Sequence, residues 1–160
     1  MESFIYTDLN QASREKDKSK LKFYGAFAAS LSFIIYTANS NRRRDHKLKG
    51  TNVLYRGLQL EPAEVTRSFE VGKKVHLMGY TSTSQHPGIA LNFAFTEREQ
   101  AAARGKVPVL YKIHFRGSKG LFKMTEGYSH YAEEQEILVQ DGLQYLVTDN
   151  KLVHDSASDI

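Results

Sequence analysis

A chain of 160 residues, 41% hydrophobic with nine Phe and nine Tyr, has enough apolar material for one domain with a sizeable core, and its composition is far from a disordered one. It contains no Cys, which excludes a disulfide framework, a thiolate nucleophile and a Cys-based zinc site, and fits a reducing compartment. The net charge of +4 is uneven: residues 1–50 hold ten Lys/Arg against five Asp/Glu, and residues 51–160 hold twelve against thirteen.

The start, MESFIYTDLN, lacks the basic and apolar regions of a secretory signal. Two basic clusters, SREKDKSKLK and NRRRDHKLK, then flank the apolar segment Leu21 to Ala38. They read as a solvated helix end and a loop, with an acidic or phosphate-bearing partner surface as the alternative. Basic residues are not spread over a face with aromatics between them, so no nucleic-acid partner is expected. The apolar segment reads as a buried core helix of about five turns. A membrane span needs about 20 apolar residues, and Lys22 interrupts this shorter run. Phe23, Phe27, Leu31 and Ile34 recur at helical spacing, which favours packing.

From Asn52 the texture turns to short β-prone runs. NVLYRGL predicts a strand ending at Gly57, EPAEVTRSF a short helix with Pro62 in its first turn, and VGKK a turn. KVHLMGYTSTS predicts one strand, and Pro87 to Arg104 one helix capped by Gly105. VPVLYKIHF is the clearest strand; EILVQ, LQYLVTD and KLVHD follow as short strands separated by DG and DN turn signals. Helices first, then mostly strands, argues an α+β fold with an antiparallel or mixed sheet.

The motifs GxGxxG, GxxxxGK[ST] and GxSxG are absent, and no two of the six His form an HxxxH or HxH pair, so no metal site is expected. Three other pieces carry chemistry. In LYRGL, Arg56 reads either as a surface ion pair or as a guanidinium fork for a phosphate or carboxylate, and Gly57 permits close approach to the backbone. In GYTSTS, three hydroxyl residues are either strand-edge Ser/Thr or orienting partners for a carboxylate. In EEQEILV, strand alternation puts Glu134 and Glu136 on one face, about 7 Å apart, with Glu133 and Gln135 on the other. Paired carboxylates suit chemistry at an anomeric carbon, one stabilising positive charge and the other taking the nucleophile's proton.

Arg on a first strand, Ser-Thr-Ser on a second, and Glu-x-Glu leading into an apolar strand together resemble the R-S-E group of mono-ADP-ribosyltransferases, which includes the cholera-toxin-like and clostridial C2/C3-like toxins. The resemblance covers residues 52 to 147. VGKKVHLMGYTSTS is similar to the family's Gly-containing turn, strand and aromatic-x-Ser-Thr-Ser, and SHYAEEQEIL to its aromatic-x-x-Glu-x-Glu before a hydrophobic pair. The resemblance implies two small packed β-sheets, mixed or antiparallel, around an NAD cleft, with N-terminal helices. It implies one domain over residues 1–160, helical in 1–50 and with a catalytic β-rich core in 51–155.

By the same resemblance, Arg56 holds an NAD phosphate and the Gly57 backbone holds the nicotinamide amide. Ser82 orients the catalytic glutamate, Glu136, which binds the ribose and stabilises charge as nicotinamide departs. Phe93 stands either against the nicotinamide or in the core. Glu134 implies an arginine acceptor: a guanidinium is protonated at neutral pH and becomes nucleophilic only where a carboxylate accepts a proton from it. Tyr128 and Tyr131 are implied acceptor contacts on the preceding loop. The expected activity is NAD-dependent, arginine-specific mono-ADP-ribosylation of a protein by a monomeric enzyme without a metal or membrane span. The expected setting is intracellular, including a host cytosol reached as an effector. An NAD glycohydrolase, or a non-catalytic binding module on the same fold, is the alternative.

Overall fold

The computed structural model describes residues 4–41, 51–96, 98–117, 120–123 and 135–151. Two helices open the chain, α1 (Phe4–Glu15) and α2 (Lys18–Asn41). Asp17 starts α2 by accepting the backbone N–H groups of Ser19 and Lys20 at 3.0 and 3.1 Å, which satisfies amide donors that a helix start leaves open. The Asp8 carboxylate accepts from Lys20 Nζ and from the Tyr24 hydroxyl, each at 2.7 Å, and so ties α1 to α2.

α2 corrects one expectation. It is not a buried core helix: one stripe, centred on Tyr24 and Ile35 with Leu21, Ala28 and Leu31, packs inward. Phe23 is 81% exposed, Phe33 67%, and Phe27 and Ile34 also face outward. The segment is apolar all round, so its helical spacing cannot say which stripe meets the core. No helix among the described residues is long and apolar enough to cross a membrane.

The strands are β1 (Thr51–Leu60), β2 (Lys74–Leu77), β3 (Thr81–Ser84), β4 (Val107–Arg116), β5 (Leu121–Lys123), β6 (Glu136–Val139) and β7 (Leu143–Leu146). Helix α3 (Pro62–Ser68) follows β1 with Pro62 in its first turn, and α4 (Pro87–Phe95) and α5 (Arg98–Ala103) lie between β3 and β4. The five-stranded sheet has the order β4-β1-β3-β6-β5, and the two-stranded sheet pairs β2 with β7. Each of these pairs is antiparallel. The chain thus has the α+β architecture with two small sheets.

Three boundaries differ from the sequence reading. β1 runs on through Gly57 to Leu60, paired along its whole length with β4. The KVHLMGYTSTS segment is two strands in two sheets. Gly79, at φ 86, makes the change of direction between them in a region that side chains disfavour. The long helix breaks at Thr96, whose ψ of 131° is extended and whose hydroxyl donates to the Asn92 carbonyl at 2.7 Å. KLVHD lies almost wholly outside the described residues.

Two cores result. Leu9, Tyr24, Ile35, Tyr80 and Leu138 join the helical pair to the sheet. Leu54, Ile113, Leu121, Ile137 and Val139 fill the other face of the five-stranded sheet. β6 lies between them with all four residues buried, which fixes the position of its first residue, Glu136.

Candidate functional site

A cleft of about 350 Å³ opens beside the central strands. β1 supplies Tyr55, Arg56 and Gly57; β3 supplies Ser82, Thr83 and Ser84; β6 supplies Glu136. α4 forms one wall with Ile89, Ala90 and Phe93, and α1 contributes Thr7, Asn10 and Arg14.

Glu136 is 5% exposed. Its Oε1 is buried and meets no hydrogen-bond donor among the described residues. Leaving a carboxylate oxygen dry and unpaired costs more than an ordinary hydrogen bond gains. A hydrogen-bond donor entering the cleft would relieve that cost. Its backbone is held firmly: Glu136 stands opposite Ser84 in the β3–β6 pair, and the Thr83 hydroxyl donates to the Ile137 carbonyl at 2.7 Å.

Arg56 reaches across from β1, and its Nη1 donates to the Ser82 carbonyl at 2.8 Å. That bond fixes the guanidinium beside the hydroxyl strand. Tyr111 sits opposite Arg56 on β4. Burial drives its hydroxyl well above the ordinary phenol range, so it stays protonated and offers no base near the cleft at neutral pH.

Gly57 has a packing role as well as a cleft position. A Cβ there would stand 1.7 Å from the Ala90 carbonyl oxygen and 2.6 Å from the Ala94 amide nitrogen. The missing side chain is what lets α4 lie against β1. α4 in turn carries Phe93, which is 54% exposed on the cleft wall and is not a core residue.

Five of the expected site residues, Arg56, Gly57, Ser82, Phe93 and Glu136, therefore line one cleft. Glu134, Tyr128 and Tyr131 lie outside the described residues. The alternation expected across residues 133–136 needs correction: β6 begins at Glu136, and Gln135 has a left-handed backbone, φ 45, so strand geometry does not extend back through it. Ser84, two residues beyond Ser82, is the one placed directly opposite Glu136.

Sequence reasoning missed the α1 contribution. Thr7, Asn10 and Arg14 are spaced three and four apart, which puts them on one helical face. That spacing was the available signal. What it lacked was a partner, which lies 70 residues away at Tyr80, just before β3. The buried Asn10 amide accepts the Tyr80 N–H at 2.7 Å and donates to the Tyr80 carbonyl at 3.0 Å. Asp141, in the turn after β6, accepts from both the Gly79 N–H and the Ser13 hydroxyl. These bonds clamp α1 to the sheet and bring Arg14 to the wall of the cleft that Arg56 also lines.

Residues 43–159 match the model of a family described as ADP-ribosyltransferase exoenzyme. Vis toxin, an ADP-ribosyltransferase from Vibrio splendidus, is a similar solved structure at 21% identity and a TM-score of 0.59, covering 96% of this chain and 64% of that one. The ADP-ribosyltransferase Vis in complex with the M6 inhibitor is similar at 23% identity and a TM-score of 0.58, covering 90% of this chain and 60% of that one. The chain spans less than two thirds of the length of these structures, and the likeness shows the fold. No curated protein matches the chain.

Proposed function

The chain belongs to the ADP-ribosyltransferase exoenzyme family, and from that premise we propose that it transfers ADP-ribose from NAD to a protein arginine and releases nicotinamide. The observation that carries this reading is the Glu136 carboxylate, buried at the cleft wall with an oxygen unpaired among the described residues.

The cleft residues fit NAD. Two guanidiniums, Arg56 and Arg14, suit its diphosphate, since each offers a planar fork of donors that stays charged. Phe93 presents an aromatic face of the kind a nicotinamide ring stacks on. The Gly57 backbone would hold the nicotinamide amide, and Ser82 and Ser84 share one face of β3, with Ser84 opposite Glu136. The open oxygen of Glu136 suits a ribose hydroxyl.

The reaction breaks the bond between the ribose anomeric carbon and the nicotinamide nitrogen, and the electron pair leaves with nicotinamide. A fixed carboxylate in a water-poor cleft stabilises the positive charge that develops on the sugar, and its effect grows as the local dielectric falls. A guanidinium nitrogen then forms the new bond to that carbon and gives up a proton, which Glu134 accepts. Tyr128 and Tyr131 would contact the acceptor. The partner is thus a protein with an accessible arginine, and a chain without Cys suits work in a reducing cytosol.

Incubation with NAD labelled in its ADP-ribose part, together with agmatine as a free guanidinium, tests the reading. Label on agmatine is expected. Label found only in free ADP-ribose would replace transfer with NAD hydrolysis, and intact NAD would leave a binding module.

A further inference from the structure

Helix α2 carries two apolar stripes, and only one of them is packed. Leu21, Tyr24, Ala28, Leu31 and Ile35 join the core beneath it. On the far side Phe23, Ala26, Phe27, Ser30, Phe33 and Ile34 follow one another at steps of three and four residues, which in a helix makes a second continuous stripe, and all six are exposed. Phe23 and Phe33 are the two most exposed large hydrophobic residues among those described. Apolar side chains scattered singly over a surface are ordinary, but four large ones on one stripe mark a face that meets something apolar. α2 supplies none of the residues lining the cleft, so this face is separate from the candidate site.

The charge beside the stripe selects what it meets. α2 holds three Lys, all within its first five residues, and no Asp or Glu. Lys20 is paired with Asp8. Lys18 and Lys22 are exposed and form no salt bridge among the described residues. A lysine next to an aromatic stripe lays its apolar stem along that surface and keeps its ammonium in water. A second copy of the chain would set this basic region against itself, since residues 1–50 hold ten Lys/Arg against five Asp/Glu. An anionic lipid surface suits both features. Its acyl boundary takes aromatic side chains from a helix lying in the interface plane, and its headgroups attract the lysines beside them.

We infer that the outer face of α2 docks on an anionic membrane surface, with Phe23, Phe27, Phe33 and Ile34 entering the acyl boundary and Lys18 and Lys22 meeting the headgroups. No helix among the described residues is long and apolar enough to cross a bilayer, so α2 lies along the interface.

Flotation of the full chain with vesicles tests this, using phosphatidylcholine alone and phosphatidylcholine mixed with phosphatidylserine. The chain is expected to float with the mixed vesicles and to be released as salt is raised. The double variant Phe23→Ser/Phe33→Ser is expected to bind them about tenfold more weakly or worse, with its fold checked by circular dichroism. Lys18→Glu/Lys22→Glu leaves the aromatic stripe intact, is expected to lose about as much, and carries the test where the Phe variant does not fold. Val71→Ser, at an exposed apolar residue in the turn before β2, is expected to bind unchanged. Absence of binding to the mixed vesicles overturns the inference and leaves the face to a protein occupant. Equal binding to both compositions overturns it too, as does unchanged binding by a folded Phe variant. Sedimentation of the lipid-free chain as a dimer that Phe23→Ser/Phe33→Ser returns to a monomer would assign the stripe to a second copy and overturn it as well. None of these readouts uses NAD, so the outcome is independent of the function proposed above.

Discussion

At the residue scale, Gly57 and Tyr145 make opposite cases. Gly57→Ala drives a methyl group into the backbone of α4, at Ala90 and Ala94, where no flexible side chain can yield. Overpacking of this kind costs about 1–3 kcal/mol, which denaturant unfolding would show. Because α4 also carries Phe93, KM for NAD is expected to rise in the same variant. The Tyr145 hydroxyl is buried without a hydrogen-bond partner among the described residues, and burial pushes it up to about 12. Tyr145→Phe removes an unpaired polar atom and keeps the ring. Unfolding should show stability unchanged or raised by up to about 1 kcal/mol. That Arg56, Ser82 and Glu136 line one cleft was legible only through the order of the three pieces and the resemblance that order carries, since each piece alone left a surface or strand-edge reading open. The contact between Gly57 and α4 was not legible, since it depends on where a helix more than 30 residues later comes to rest.

At the element scale, α2 divides sharply by face. Ile35 is fully buried in the core between the helices and the sheet, while Phe33 is 67% exposed. Ile35→Ala is expected to cost about 2–5 kcal/mol and Phe33→Ser less than about 0.5 kcal/mol, measured by the same unfolding assay. The sequence alone weights those two residues alike. The α1–α2 tie gives a pH signature. Hydrogen bonds from Lys20 and then Tyr24 hold the Asp8 carboxyl below the ordinary aspartate range. A group lowered in the folded state contributes stability above its unfolded value and loses it as the pH falls through the folded one. This contribution is therefore present at neutral pH and declines below about pH 4. Asp8→Asn should flatten that part of the acid unfolding curve. Elements with one clear period, such as β4, were read closely from sequence. Those that change sheet at Gly79, or break at Thr96, were read as continuous, because their apolar pattern runs through a break set by tertiary contacts.

At the scale of the whole molecule, two cores hold β6 from both faces, and the cleft lies beside its first residue. α1 completes the cleft from the far end of the chain through Asn10, whose amide satisfies both backbone groups of Tyr80. Asn10→Ala would strand that buried pair, cost about 1–3 kcal/mol and loosen Arg14 from the cleft. The α+β class was legible from the local pattern of elements, and the strand-borne half of the site from the order of three short motifs and the resemblance they carry. The helical half was not, because its spacing acquires meaning only once Tyr80 is known to lie beneath it. The central claim is that the buried Glu136 carboxylate drives nicotinamide departure. The most direct measurement is the rate of NAD cleavage at saturating NAD for Glu136→Gln beside the unsubstituted chain, with NAD affinity determined in parallel. A fall of about 10²-fold or more with NAD still bound is the expected result; cleavage at an unchanged rate would contradict it.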